Sequence, residues 1–270
     1  MKIRPLLYIP VFYLAAIMPR VFGRPDVTSL MGYHYAHRGL HDNSGDAPEN
    51  SLSAFKKAIE SGYGIEFDVQ LTKDQIPVVF HDESLKRVCG VDKNVRDLTY
   101  KELQSLTLFD TSEKIPTLKE VLDLINGQVP LIIEIKAYAA PFTVCKYADA
   151  LISSYNGVYC VESFHPLALR WYKIHHPEVI RGQLSSNFKE ENPVESPERS
   201  LVHHLLTNFV CRPDFIAYNH KYKKNLSRCI CRYLFNSLSV SWTIRSQEEL
   251  DACRKDFDLF IFEGFEPQPN

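Results

Sequence analysis

Three carboxylates, two histidines and two basic side chains stand in short blocks along this chain: His37-Arg38, Glu66-x-Asp68, His81-Asp82 and Glu134-x-Lys136. Glu66, Asp68 and Glu134 brought to one place repel one another unless a cation joins them. All-oxygen ligation suits a hard divalent ion, Mg²⁺ or Ca²⁺. Arg38 and Lys136 on the same rim suit an anion, phosphate first. With a phosphoryl group between His37 and His81, one imidazole can take a proton from the nucleophile and the other can protonate the leaving oxygen. The bland alternatives are ion pairing of Arg38 or Lys136 with the carboxylates, and histidines that only pack. No GxSxG nucleophile motif occurs. The residue types point to metal-assisted phosphodiester hydrolysis by general acid and base.

Such chemistry needs elements that gather these blocks, and Ile65–Asp82 is the centre of them. Ile65, Phe67 and Val69 alternate with Glu66, Asp68 and Gln70, the pattern of a strand with one apolar and one carboxylate face. The polar turn Thr72-Lys73-Asp74-Gln75 is too short for a parallel return, so Ile76–Phe80 pairs antiparallel. A hairpin symmetric about Lys73-Asp74 brings His81 roughly opposite Glu66. Leaving the return arm aside, strands are predicted to begin near residues 33, 65, 131, 158, 179, 215, 239 and 259, mostly with helices between them. Asn50 or Ser51 caps one helix, which Gly62 stops. Capping boxes at Thr99-x-x-Glu102 and Thr117-x-x-Glu120 open two more, and Ser246-x-x-Glu249 caps a fourth. Eight strands alternating with helices predict an α/β fold, the (β/α)8 TIM barrel, whose C-terminal strand ends share one face. That face would collect His37-Arg38, Glu66/Asp68, Glu134/Lys136, Glu162-Ser163, Gln183, Asn219 and Trp242. A doubly wound sheet is disfavoured because no Gly-rich phosphate loop follows any strand.

Composition sets outer limits. The chain is 45% hydrophobic and 24% charged with a net charge of −2, which is globular and argues against nucleic-acid binding led by bulk electrostatics. Seven cysteines form no metal-spaced set, and buried free thiols are expected. Leu6–Met18 is apolar apart from an interruption at Pro10, with Lys2 and Arg4 before it and Arg20 and Arg24 after. An uncleaved anchor over residues 1–24 is expected, ahead of a signal peptide or a helix packed on the domain. The predicted location is therefore membrane-associated through this segment, with the side unassigned.

The blocks His37-Arg38-Gly39, Pro48-Glu49-Asn50-Ser51, Glu66-x-Asp68, His81-Asp82, Glu134-Ile135-Lys136, Ser163-Phe164 and Trp242-Thr243 resemble, in order, those of the glycerophosphodiester phosphodiesterase family. The resemblance runs from about Tyr35 to Pro267. It implies a barrel over 33–268 with a small insertion at 85–115, and hydrolysis of glycerophosphodiesters to glycerol 3-phosphate and an alcohol. It further implies His37 as general base, His81 as general acid, and one divalent cation on Glu66, Asp68 and Glu134. Arg38 and Lys136 would hold the phosphate, and Phe164 and Trp242 would line the glycerol side. Implied partners are a small glycerophosphodiester or lysolipid, and a membrane through the N-terminal segment. The departures are Arg245, where the family often has Asn, and the close of the last strand, Phe262-Glu263-Gly264. Neither is expected to touch the chemistry. Alternative readings are a lysophospholipase D-like hydrolase of lysolipids and a catalytically silent phosphodiester-binding barrel. Ser185–Cys211 has no counterpart in the resemblance and reads as a packed excursion, ahead of a lid or a membrane-facing helix.

Overall fold

The structure is a computed structural model that describes residues 8–138, 140–191 and 197–268. Its strands are β1 (His34–His37), β2 (Gly64–Leu71), β3 (Pro77–Val79), β4 (Leu131–Ile135), β5 (Tyr159–Ser163), β6 (Arg181–Ser185), β7 (Phe215–Asn219), β8 (Leu238–Ile244) and β9 (Leu259–Phe262). Eight of them are parallel and close on themselves through β1–β2 and β1–β9, with β3 antiparallel outside β2. This is the predicted (β/α)8 barrel. The hairpin register differs by one residue from the expected one. Val69 pairs with Val79, centring the turn on Asp74, and the Phe80 N–H donates to the Asp68 carbonyl. Gln75 takes a positive φ of 64° and the Thr72 hydroxyl accepts from the Ile76 N–H, which together set that turn.

The helices are α1 (Tyr8–Ile17), α2 (Leu52–Glu60), α3 (Lys86–Cys89), α4 (Tyr100–Leu103), α5 (Leu118–Ile125), α6 (Pro141–Ile152), α7 (Pro166–His175), α8 (Phe188–Glu191), α9 (Pro197–His203), α10 (Asn208–Cys211), α11 (Leu226–Tyr233) and α12 (Gln247–Cys253). Caps fix several starts. The Ser51 hydroxyl accepts from the Ala54 N–H, and Thr117 and Glu120 form the reciprocal box. Apolar residues of β2 and β4 (Ile65, Phe67, Val69, Ile133, Ile135) pack on Phe55, Val121 and Val144 of the surrounding helices. Residues of the other parity, including Tyr35, Ile132, Cys160, Ala217 and Val240, fill the barrel interior. Gly182 is required inside that packing, since a Cβ there would lie 1.9 Å from the Phe215 ring. Residues between β3 and α5 build a third apolar cluster, with Leu85, Val88, Val95, Leu103 and Ile115 at its centre.

The N-terminal segment corrects the anchor expectation. Among the described residues no helix is long and apolar enough to cross a membrane, and α1 has ten residues. It lies against the barrel's helices instead. Ile17 is fully buried and its carbonyl accepts from Asn208 Nδ2 at 2.7 Å. Tyr13 Oη meets Ser227 Oγ at 2.7 Å, and Arg212 donates to the Met18 carbonyl at 2.8 Å. Only the C-terminal end of α1 packs on the domain, while Ile9, Val11 and Phe12 are exposed; the misreading came from hydropathy, which does not register that ten residues fall short of the roughly 20 that span a bilayer. The membrane-association reading is withdrawn with it. Residues 1–7 of the expected anchor lie outside the described residues. All seven cysteines are free thiols, five of them buried. In the excursion after β6, Leu205 and Cys211 are fully buried and α10 packs on α7 and α1; residues 192–196 lie outside the described residues.

Candidate active site

The turn after β1 sets the first two groups. Arg38 and Gly39 both take positive φ (57° and 82°), and a Cβ on Gly39 would come within 2.9 Å of the Ala54 backbone. That tight turn leaves His37 at the strand end and sends Arg38 inward. On β2, Glu66 and Asp68 share the parity that faces the barrel interior and are almost fully buried. On β4, Glu134 pairs in register with Asp68 on one side and Glu162 on the other. One oxygen each of Glu66, Asp68 and Glu134 lie within 4.8 Å of one another. The structure thus brings the three sequence-predicted carboxylates together.

Charge explains their ionisation. Burial, with Asp68, Glu162 and Glu134 nearby, pushes the Glu66 carboxyl well above the usual range. Burial would raise Asp68 too, but the Lys136, His81 and Arg38 charges and a hydrogen bond from Asn50 hold it well below. Lys136 Nζ stands 2.7 Å from Glu134 Oε2 and 3.0 Å from Asp68 Oδ1, and Asp68 Oδ1 accepts no well-aligned hydrogen bond. Arg38 Nη1 donates to Glu49 Oε1 at 2.6 Å, and its Nε lies 3.6 Å from Asp68 Oδ2. Both predicted phosphate-binding cations therefore sit on the carboxylate rim. Glu162, the in-register neighbour of Glu134, is buried with one oxygen lacking a hydrogen-bond partner among the described residues, and burial raises its carboxyl strongly. This donor set, all carboxylate oxygen, buried and short of hydrogen bonds, fits a hard divalent cation.

The histidines flank the cluster. His37 Nε2 lies 3.9 Å from Glu66 Oε2 while its Nδ1 contacts Glu263 Oε2. Arg245 Nε donates to the other Glu263 oxygen at 2.8 Å. Burial, with the Arg38 charge, pushes the His37 imidazole down to about 4, against the upward pull of Glu263. His81 Nδ1 meets Asp82 Oδ1 at 2.6 Å, and Tyr138 Oη donates to the His81 carbonyl at 2.7 Å. In each ring a carboxylate on Nδ1 fixes the tautomer, and His37 Nε2 faces Glu66. Phe164 and Trp242 meet edge to face with centroids 5.6 Å apart, Phe188 of α8 adds a third ring at 5.8 Å from Phe164, and Trp242 Nε1 is buried with no partner among the described residues.

Sequence reasoning missed Glu263 and Arg245 as parts of the site. They had been set apart from the chemistry, yet both follow strand ends, the same rule that found the other groups. Glu49 stood in the noted block Pro48-Glu49-Asn50-Ser51 without a role assigned to it, and Arg87 was missed altogether.

An eight-stranded parallel barrel with a buried carboxylate triad and two carboxylate-bound histidines on its C-terminal rim defines the class. Residues 37–255 match the model of the glycerophosphoryl diester phosphodiesterase family, and the chain belongs to that family. A glycerophosphodiester phosphodiesterase of Caldanaerobacter subterraneus subsp. tengcongensis is 46% identical over 110 residues, 38% of this chain and 44% of the relative. A human lysophospholipase D is 32% identical over 162 residues, 55% of this chain and 50% of the relative. The chain spans about half the length of the curated relatives it matches. Among solved structures, an Oleispira antarctica phosphodiesterase in complex with sn-glycerol-3-phosphate superposes with a TM-score of 0.70 at 24% identity, covering 87% of this chain and 94% of that one, a likeness of fold.

Proposed function

We propose that this chain hydrolyses glycerophosphodiesters to glycerol 3-phosphate and an alcohol, with residues 33–268 as the catalytic unit. The observation that carries the reading is a buried carboxylate triad with His37 Nε2 3.9 Å from Glu66 and with both histidines held at Nδ1 by a carboxylate. Held neutral by burial, His37 takes the proton of the attacking hydroxyl at Nε2. His81 gives its Nε2 proton to the leaving alkoxide as the P–O bond breaks. Glu66, Asp68 and Glu134 would hold Mg²⁺ or Ca²⁺, and that ion supplies charge neutralisation to the phosphoryl oxygens when bound. Arg38 and Lys136 turn toward the phosphate from the rim. Phe164 and Trp242 wall the glycerol side, and the unpaired Trp242 Nε1 is a donor for a substrate oxygen.

The test is glycerol 3-phosphate release from glycerophosphocholine with EDTA, Mg²⁺ or Ca²⁺, beside His37→Ala. Cation-dependent release lost in the variant is expected. No release from glycerophosphocholine, glycerophosphoethanolamine or micellar lysophosphatidylcholine with either ion would overturn it. A lysophospholipase D activity is the second reading. It is favoured by the human relative and by the added Phe188 ring beside Phe164, and it predicts faster turnover of the lysolipid than of its deacylated form.

A further inference from the structure

We infer that Arg87, on the insertion helix α3, is a positioning residue that aims His81 by clamping Asp82 to Glu49. The inference rests on the reading of His81 as general acid. The guanidinium spans two carboxylates. Its Nη1 and Nη2 donate to Glu49 Oε2 and Oε1 at 2.9 and 2.6 Å. Its Nε and Nη2 donate to Asp82 Oδ2 and Oδ1 at 2.7 and 3.0 Å. Asp82 Oδ1 in turn holds His81 Nδ1 at 2.6 Å. Glu49 is itself anchored, by Arg38 Nη1 at 2.6 Å and Asn43 Nδ2 at 2.9 Å.

Asp82 alone could swing on its own χ angles and let the imidazole turn away from the site. Two guanidinium bonds remove that freedom, because Arg presents its donors in a rigid planar fork. Lysine, a point charge with one nitrogen, cannot span both carboxylates in this way. The support of α3 is sound: Leu85 and Val88 are buried in the insertion's apolar cluster, and the Arg87 guanidinium lies 5.8 Å from the Phe109 ring centroid. The insertion thereby gains a task at the site beyond covering β3.

A group that acts through the general acid matters only when the leaving group needs a proton. An alkoxide does, whereas p-nitrophenolate leaves without one. The experiment compares kcat/KM on glycerophosphoethanolamine and on glycerophospho-p-nitrophenol for wild type, His81→Ala, Asp82→Asn, Arg87→Met, Arg87→Lys and Asp82→Asn/Arg87→Met. Arg87→Met is expected to lose about 10²-fold on the alkyl substrate and less than about 3-fold on the nitrophenyl one. Arg87→Lys recovers only part of the loss, and it carries the test if Arg87→Met does not fold by circular dichroism. The double variant should be no worse than Asp82→Asn alone, because both act on one ring. Equal losses on the two substrates, or additive losses in the double variant, would overturn the inference. If His81→Ala itself shows equal losses on both, the assignment of His81 as acid fails instead.

Discussion

His37 and His81 carry the same local grammar in two settings. Each has a carboxylate on Nδ1, and each carboxylate is held by an arginine: Glu263 with Arg245, Asp82 with Arg87. The settings differ. His37 is the more enclosed ring, 16% exposed against 31% for His81, and Arg38 stands beside it. Its partner Glu263 comes from the far end of the chain across the β1–β9 seam, and Arg245 holds one Glu263 oxygen through Nε and Nη2 with a side chain 59% exposed. Asp82 neighbours His81 in sequence, and Arg87 ties it onward to Glu49 and Arg38. Burial lowers the first histidine's pKa, which suits the proton acceptor proposed for it. The second gains orientation from a network rather than from enclosure. The difference gives a physical basis for the proposed base and acid roles, which the motif order alone does not separate.

The comparison is broken or upheld first by the ring deletions. His37→Ala is expected to lose about 10³-fold or more on alkyl and nitrophenyl substrates alike, since every nucleophile must shed a proton. His81→Ala loses about as much on the alkyl substrate and far less on the nitrophenyl one. Single-turnover rates on both substrates check this, and the reverse pattern would exchange the two roles. A smaller effect follows one step out. Glu263→Gln keeps a hydrogen-bonding group on Nδ1 but removes its charge, and a loss of about 10 to 10²-fold on both substrates is expected. Arg245→Ala should cost only a few-fold, because an exposed ion pair contributes about 1 kcal/mol or less. Steady-state assays of the two variants side by side decide the matter. An Arg245→Ala defect as large as that of Glu263→Gln would show that the outward tie is as strong as the inward network.

The sequence made much of this barrel legible for definite reasons. Apolar runs bounded by polar loops located the strands, and acids interrupting those runs, such as Glu66, Asp68 and Glu134, could only lie on an inward rim once the barrel was inferred. What stayed hidden depends on closure and on surface-looking chain. Glu263 and His37 are 226 residues apart and meet only because β9 pairs with β1. Arg87 lies in a polar excursion where an arginine reads as solvated. The one-residue error in the hairpin arose because the turn's centre is set by the Gln75 backbone and the Thr72 hydroxyl, which alternation does not encode. Leu6–Met18 misled because hydropathy does not distinguish a lipid-facing helix from one whose end, at Ile17, is buried against α10 and α11.

The smallest expected effect concerns stability, and it separates the two networks under acid. Burial would raise Glu49, but hydrogen bonds from Arg87 and the Arg38 charge bring its carboxyl down to about 2 from an ordinary value of 4.5. A carboxylate whose folded value is depressed adds stability that is fully present above its unfolded value and is lost as pH falls toward the folded one. The window here is therefore between about pH 4.5 and pH 2, and a shift of this size corresponds to about 3 kcal/mol shared among all the partners of Glu49. Arg87→Met removes part of that share. It should lower the urea midpoint at pH 7 and change it less at pH 3, where the wild type has already surrendered part of the Glu49 interaction while keeping that of Asp82. Arg245→Ala, acting on a more exposed pair, should barely move the midpoint at pH 7. Urea titrations of the three proteins at both pH values measure this. An Arg87→Met loss as large at pH 3 as at pH 7 would mean that Arg87 stabilises through Asp82 or through packing on Phe109 and not through the Glu49 carboxylate.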